Sequence, residues 1–483
     1  MPASHPAPQP APQPAPLIAR GASAGLAEQL AARFAQRIQQ RLLAPGARLP
    51  SVRDCAQRHG VSPGTVVGAY DLLQARGLVQ ARPQRGFFVR EAVAALPPAA
   101  ARAERSGPLP APVDATALIR SMFQAQGGLP APGMGTLPEA WLDATLLQRA
   151  LRKVCQQPQA WLRYGDPAGN APLRQALAQR LADLGVPATP AQIVTTVGAT
   201  HALDLVSRVL LQPGDAVLVD EPGWAVEYAR LTRLGMRLLP VPRGDQGPDL
   251  AVMQALLREH RPRLYVTVSV LHNPTGHSLT PALAHQLLRL AEAHDLTIVE
   301  DDTYSWLAPP HATRLAQLDG LRRTVYVSGF SKILTPQWRV GFVAAAPALA
   351  ERLIDTKLLS TLTTPGALEE AVAVCLDQGL LRRHAERLVT RLAAARTRTV
   401  RLAQAAGCRF VSPPAGLFGW VDVGADTEAL AQVLLDEGWL TAPGALFHAT
   451  PRPTTLMRVN FATAQDPRFW QRLQALRTRG TGR

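Results

Sequence analysis

Past residue 190 the chain alternates short apolar runs, IVTTVG, AVLVD, LYVTVSV, TIVEDD and TVYVSGF, with helix-like stretches such as THALDLVSRVLLQ and PALAHQLLRLAEAHD. Sustained strand–helix alternation restricts the chain to an α/β architecture, a mainly parallel sheet with helices on both faces. Ligands of such sheets bind at the carboxyl ends of the strands, so residues just after each apolar run become site candidates. At 483 residues the chain is about three times the usual length of one domain, so a second module is expected. No apolar run reaches membrane-spanning length, and a Pro/Ala repeat stands where a signal peptide would need basic and apolar regions. A cytoplasmic location with no membrane partner is therefore expected.

Residues 1–16, MPASHPAPQPAPQPAP, suit an extended tail with nothing to bury. A second Pro/Ala-rich stretch over 91–115 divides a compact segment, 17–90, from the α/β region, 116–483. Cys55, Cys155, Cys375 and Cys408 are far apart, outside any CxxC or Cys/His cluster, which suggests neither a zinc site nor a disulfide framework and predicts buried, reduced thiols. Net charge is +15, and residues 1–92 hold 11 Arg against 4 Asp and Glu, an excess of 11 − 4 = +7. Charge concentrated in so short a segment points to a nucleic-acid partner.

Within that segment Leu26, Leu30, Phe34 and Ile38 recur at four-residue spacing and predict an amphipathic helix. A short helix follows from Ser51 to Gly60. Ser62 then reads as an N-cap with Pro63 at the first helical position, opening a third helix. Two short helices joined by HGVS make a helix-turn-helix, and LVQARPQRGFFV reads as two strands around a basic turn. The segment resembles the winged helix-turn-helix of GntR regulators, whose LPSxRxLA, GVS, TVxxAYxxL and GxxV pattern it matches over about 70 residues. The resemblance implies that Arg53, Ser62, Thr65, Arg82 and Arg85 face double-stranded DNA while Val66, Ala69, Leu72, Leu73 and Leu78 face inward. The sequence departs from the family at Pro63 and Gly68, where arginines are usual.

Against 48 arginines stand three lysines, Lys153, Lys332 and Lys357. Schiff-base chemistry, if present, falls to one of them. Lys153 and Lys357 lie in helix-like contexts where a solvated amine is the ordinary reading. Lys332, in VSGFSKILTPQWRVG, follows an apolar strand. A pyridoxal-phosphate pocket also requires an anion site, a carboxylate for the ring nitrogen, a donor for the 3-oxygen and a stacking face. Ala199 and Thr200, at the start of the helix after IVTTV, offer backbone N–H groups for a phosphate. Asp301 and Tyr304 in EDDTY, Asn273 in HNPTG and Trp224 in EPGW follow other strands. His201, His272 and His277 lie near these motifs and receive no role.

In this order the motifs resemble fold-type I, class I/II aminotransferases over roughly residues 116–483. The resemblance implies pyridoxal 5′-phosphate as cofactor, bound to Lys332, with Ala199, Thr200, Trp224, Asn273, Asp301, Tyr304 and Arg339 as further cofactor contacts. Tyr164, in YGDPAGNAPLR, matches the residue that reaches the cofactor phosphate of the partner subunit. Arg458, in LMRVNF, matches the arginine for a substrate α-carboxylate. The family hydroxyl three residues before the lysine is Gly329 here, and Ser328 or Ser331 is expected to replace it. A winged helix joined by a Pro-rich linker to such a domain resembles the MocR subfamily of GntR regulators. The implied protein is a head-to-tail homodimer that regulates transcription, sensing a small amino compound through aldimine exchange on Lys332. The alternatives are a working aminotransferase carrying a DNA-binding domain, and a repressor with a vestigial, cofactor-free core.

Overall fold

In the computed structural model the residues described are 25–39, 43, 46–82, 85–90, 130–156 and 162–480. The expected Pro/Ala tail and the 91–115 linker lie outside them. The chain divides into two compact units, one running to Ala131 together with Glu428–Thr441, the other comprising Pro132–Thr427 and Ala442–Arg483.

In the N-terminal unit three helices, α1 (Leu26–Gln39), α2 (Val52–His59) and α3 (Pro63–Ala75), precede an antiparallel ribbon of β1 (Val79–Arg82) and β2 (Gly86–Val89). Local chemistry sets each boundary. The Ser51 hydroxyl accepts from Asp54 N, Gly60 takes the left-handed conformation that ends α2, and the Ser62 hydroxyl accepts from Thr65 N ahead of Pro63. Leu30, Phe34, Leu49, Cys55, Val66, Ala69, Tyr70, Leu73, Val79 and Val89 form one core. Leu72 and Leu78, expected inside, are half-buried at its margin. The centre is instead Tyr70, fully buried, whose hydroxyl donates to Pro50 O at 2.9 Å and whose ring meets Phe34 edge-on at 5.7 Å.

The larger unit is built on a seven-stranded sheet: β3 (Ile193–Thr196), β4 (Ala216–Glu221), β5 (Arg237–Pro242), β6 (Leu264–Thr267), β7 (Thr297–Asp301), β8 (Thr324–Gly329) and β9 (Gly341–Ala344). The spatial order is β3-β9-β8-β7-β6-β4-β5, with β9 antiparallel to its neighbours and every other pairing parallel. Alternate residues serve alternate faces. Val217, Val219, Leu264, Val266, Val299 and Val325 join one core cluster, and Ala216, Leu218, Tyr265 and Ile298 another. The helices that carry or brace the candidate site are α4 (Ala171–Asp183), α5 (Gly198–Leu210), α6 (Ala225–Arg233), α7 (Pro347–Ser360) and α8 (Gly366–Asp377). A smaller antiparallel sheet holds β10 (Arg409–Phe410), β11 (Phe418–Asp422), β12 (Ala442–Pro443) and β13 (Leu456–Asn460), in the order β10-β11-β13-β12. Among the described residues no helix is long and apolar enough to cross a membrane, and no cluster of His, Cys, Asp or Glu suits a metal ion. Cys55, Cys375 and Cys408 are buried free thiols, whereas Cys155, at the end of the helix Ala144–Cys155, is exposed rather than buried.

Candidate functional site

Lys332 sits in the turn after β8, and its amine donates to Gly135 O at 2.7 Å. Burial first, then the nearby Arg458, lowers its pKa to about 8, with Asp301 opposing. Arg458 points inward from β13; its Nη1 donates to Asn273 Oδ1 at 2.9 Å and its Nη2 to Gly133 O at 2.7 Å. Phe418 and Phe447 flank the guanidinium, with ring centres 4.5 and 5.0 Å from its carbon. Its Nε is buried with no hydrogen-bond partner. Such an atom costs stability unless a ligand or water answers it. The Gly133–Gly135 turn thus receives both the amine and the guanidinium through main-chain carbonyls, and Asn460 Nδ2 ties down Met134 O and Thr136 O, the residues flanking Gly135.

Three consecutive acids end β7 and the residue after it, and alternation separates them. Glu300 is buried, accepting from Ser269 Oγ at 2.5 Å and from Leu315 and Ala316 N. Asp302 is buried against Arg314 at 2.6 Å and Tyr326 at 2.8 Å. Asp301 instead lines a cavity shared with Trp224, Tyr228, Glu227, His272, Thr267 and Asp220. Burial raises its carboxyl to about 6 against the bonds it accepts from Thr303, and Glu227 adds like charge. Trp224 caps the start of α6 and packs half-buried on the sheet core. Tyr304 is buried, with Asn273 and Arg458 among the groups acting on its hydroxyl and Phe418 edge-on at 5.7 Å. At the cavity floor Asp220 accepts from Arg243 at 3.1 Å, from Thr267 at 2.8 Å and from Tyr265, a network that holds its carboxyl ionised.

No side chain caps the N-terminus of α5, so Ala199 and Thr200 offer their backbone N–H groups outward. The approach is lined by glycines. A Cβ on Gly341 would lie 2.7 Å from Ala199 N, one on Gly198 2.3 Å from Arg339 Nη2, and one on Gly329 3.5 Å from Ala199 N. Arg339 reaches across, its Nη1 donating to Ser331 Oγ at 2.9 Å and its Nη2 to Val197 O at 3.3 Å. Ser331 therefore stands at this cradle. Ser328 does not: its neighbour Gly329 faces α5, so Ser328 points to the opposite face, where its buried hydroxyl donates to Asp302 O at 2.9 Å. Tyr164 is 84% exposed on the single chain and reaches none of these residues. An uncapped helix end with a guanidinium and a hydroxyl, an amine and a carboxyl fit the phosphate, aldehyde and ring nitrogen of pyridoxal phosphate.

In the N-terminal unit Arg53, Ser62 and Arg85 are exposed and Thr65 is half-buried, the Ser62 and Thr65 hydroxyls lying 2.8 Å apart in the helix cap. The guanidinium carbon of Arg82 lies 4.7 Å from the centre of the Phe88 ring. Two features escaped the sequence. The Gly133 and Gly135 carbonyls carry no side-chain signal beyond a Pro-Gly-Met-Gly run. Lys357, expected in solvent, is fully buried, because the α7 face bearing it packs inward beside Thr195 and Thr364. Lys153 is exposed as expected.

Residues 132–473 match the family model "Aminotransferase class I and II", and residues 26–89 match "Bacterial regulatory proteins, gntR family". The chain is 31% identical over 453 residues to the uncharacterized HTH-type transcriptional regulator YdcR of Escherichia coli, covering 89% of this chain and 94% of that protein. It is 30% identical over 323 residues to the probable rhizopine catabolism regulatory protein MocR of Rhizobium meliloti, covering 63% and 62% of the two. The crystal structure of LysN, an alpha-aminoadipate aminotransferase from Thermus thermophilus, complexed with N-(5′-phosphopyridoxyl)-L-leucine, superposes with a TM-score of 0.69 at 25% identity, over 75% of this chain and 95% of that one. The chain therefore belongs to the class I and II aminotransferase family, a pyridoxal 5′-phosphate-dependent fold joined here to a GntR-type DNA-binding helix-turn-helix, as in the MocR-like transcription regulators.

Proposed function

We propose that the pocket is the sensor of this regulator, reading a small primary amine, held through its carboxylate where it has one, and altering DNA binding in response. One observation carries the reading: Lys332 and Arg458 converge on a single turn, Gly133–Gly135, so the amine that would hold the cofactor aldehyde and a receptor for a carboxylate sit in one site. Bound pyridoxal phosphate supplies an aldehyde that condenses reversibly with primary amines. Lys332 would hold the cofactor through that aldehyde, in competition with the amine of an incoming compound. Asp301 would keep the ring nitrogen protonated, Tyr304 and Asn273 would serve the 3-oxygen, Trp224 would offer a stacking face, and the α5 N-terminus with Ser331 and Arg339 would take the phosphate. Tyr164 reaches the phosphate of the partner subunit in a head-to-tail homodimer. Arg53, Ser62, Thr65, Arg82 and Arg85 serve DNA. The protein works in the cytoplasm, with residues 17–90 as the DNA-binding module and 116–483 as the sensor.

A ligand shifts a two-state protein only if it binds the states unequally. An incoming carboxylate competes with the Gly133 carbonyl for Arg458, and displacement changes what Lys332 donates to. Both events bear on a turn continuous in sequence with the 91–129 segment that leads from the DNA-binding module. The test is DNA affinity, by fluorescence anisotropy, with and without an amino-acid library. An effector is expected to change affinity about fivefold or more, and Lys332→Ala and Arg458→Ala to abolish the change while leaving basal DNA binding intact. An amino donor and ketoacid turned over at ordinary enzyme rates with no effect on DNA would sink the sensor reading in favour of an aminotransferase.

A further inference from the structure

Lys357 lies outside the pocket and is fully buried. Its amine is 3.4 Å from Thr195 Oγ1 and 3.4 Å from Thr364 Oγ1, and those hydroxyls are 3.0 Å apart. Thr364 donates in turn to the buried carboxylate of Glu369 on α8, whose other oxygen accepts from Asn170 N at 2.8 Å. Thr195 N donates to Ala168 O at 2.9 Å. A Cβ on Gly169 would fall 1.9 Å from Thr195 Oγ1, so only glycine lets the backbone lie there, and a Cβ on Gly165 would be 3.7 Å from Thr364 O. Thr195 and Glu369 thus hold the loop 165–170 at Ala168, Gly169 and Asn170, and Lys357 with Thr364 braces those two residues; the loop begins at the residue after Tyr164. Burying an ammonium is costly, and an apolar side chain of the same length would ordinarily serve a core better. Burial lowers the Lys357 pKa to about 8, and Glu369 is the first group acting to raise it.

We propose that Lys357 is a positioning residue: through Thr195, Thr364 and Glu369 it fixes the 165–170 loop in the pose that aims Tyr164 at the cofactor phosphate of the partner subunit. The proposal rests on the reading of Tyr164 as a phosphate contact within the dimer. It requires neither substrate nor turnover, since its consequence is retention of the cofactor by the dimer.

The test is a double-mutant cycle on the full-length chain, read as the dissociation constant of pyridoxal phosphate from its visible band, with thermal melting alongside. Tyr164→Phe is expected to weaken cofactor binding about tenfold, the weight of one hydrogen bond to a charged group. Lys357→Met should weaken it comparably, and the double variant should be no weaker than either single one. Thr364→Val, which removes a link while leaving both charged residues in place, should show the same non-additivity and covers the case in which Lys357→Met does not fold. Independent effects multiplying to about a hundredfold, or a lowered melting temperature with cofactor affinity intact, would reduce Lys357 to a core residue and overturn the proposal. If Tyr164→Phe leaves affinity unchanged, the phosphate role of Tyr164 falls and the proposal with it, an outcome distinct from additivity.

Discussion

The two modules arrange their candidate functional residues in opposite ways. On the winged helix none of these residues is buried, Arg53, Ser62 and Arg85 being exposed and Thr65 and Arg82 half-buried, and the buried set, centred on Tyr70 and Phe34, only shapes the scaffold beneath them. In the aminotransferase-like unit the candidate residues are largely interior. Asp301, Tyr304, Asn273 and Arg458 are all buried, and several bond directly to one another or to one turn. Surface charges act as a sum, screened by salt and individually replaceable. Buried groups act as a set, because removing one leaves its partners unanswered in a low-dielectric site. Damage should therefore be graded at the DNA face and abrupt in the pocket, while the winged helix should be abruptly sensitive only in its core.

The sharpest test of that last point is Tyr70→Ala. The change empties a fully buried ring position and leaves Pro50 O without its donor. Large aromatic truncations cost about 3–5 kcal/mol, comparable with the whole stability of a small domain. Unfolding of the full-length variant, followed by circular dichroism, should show loss of an early transition, and DNA binding should vanish while the cofactor band persists. Survival of DNA binding at wild-type strength would mean that the module's core is far more redundant than its packing implies.

The same contrast explains what could be read from the sequence alone. The helix-turn-helix was legible because its signals are local: Ser51, Gly60, Ser62 and Pro63 mark helix ends by backbone chemistry within a few residues. The pocket side chains were legible because strand ends display them one at a time. What was hidden depends on contacts distant in sequence. Alternation along β8 turns Ser328 to Asp302 while leaving Ser331 to Arg339, a distinction that needs the pleat and the position of α5. The Gly133 and Gly135 carbonyls meet residues 325 and 197 positions away. Lys357 sits on a helix whose sequence, ERLIDTKLLSTL, does not reveal that its lysine faces a pair of threonines.

A smaller effect probes the pocket's electrostatics. The Asp301 carboxyl, raised from 3.8 to about 6 by burial, binds a proton more tightly in the folded apo chain than in the unfolded one. Its contribution to stability is thus fully present below about pH 4 and lost as pH rises to about 6. Asp301→Asn stays neutral throughout. The stability of the apo wild type relative to this variant should fall across that window by on the order of 2 kcal/mol and be flat above it. Chemical denaturation at a series of pH values measures the difference, and a flat difference from pH 4 to 7 would show that the folded site does not penalise the charged carboxylate. Pyridoxal phosphate should reverse the penalty, because a protonated ring nitrogen favours the carboxylate beside it.

The smallest effect belongs to the DNA face and is the one that most directly distinguishes a sum from a set. Arg85 is exposed in the wing turn, its N–H donating to Arg82 O at 3.0 Å. If its guanidinium neutralises one phosphate, Arg85→Ala should reduce affinity for all duplex sequences alike and lower the slope of log affinity against log salt by about 1. Arg53→Ala should do the same, and the two losses should add, since exposed charges with no shared buried partner do not leave each other stranded. Arg82 differs in kind: its guanidinium is stacked on Phe88, so removing it disturbs packing in the ribbon as well as charge. Salt titrations of the three single variants and the Arg53/Arg85 pair decide the matter. A pair whose combined loss departs from the sum of the singles by about tenfold would show that the two arginines grip one feature of the DNA together, and the contrast between a graded face and an interlocked pocket would no longer hold.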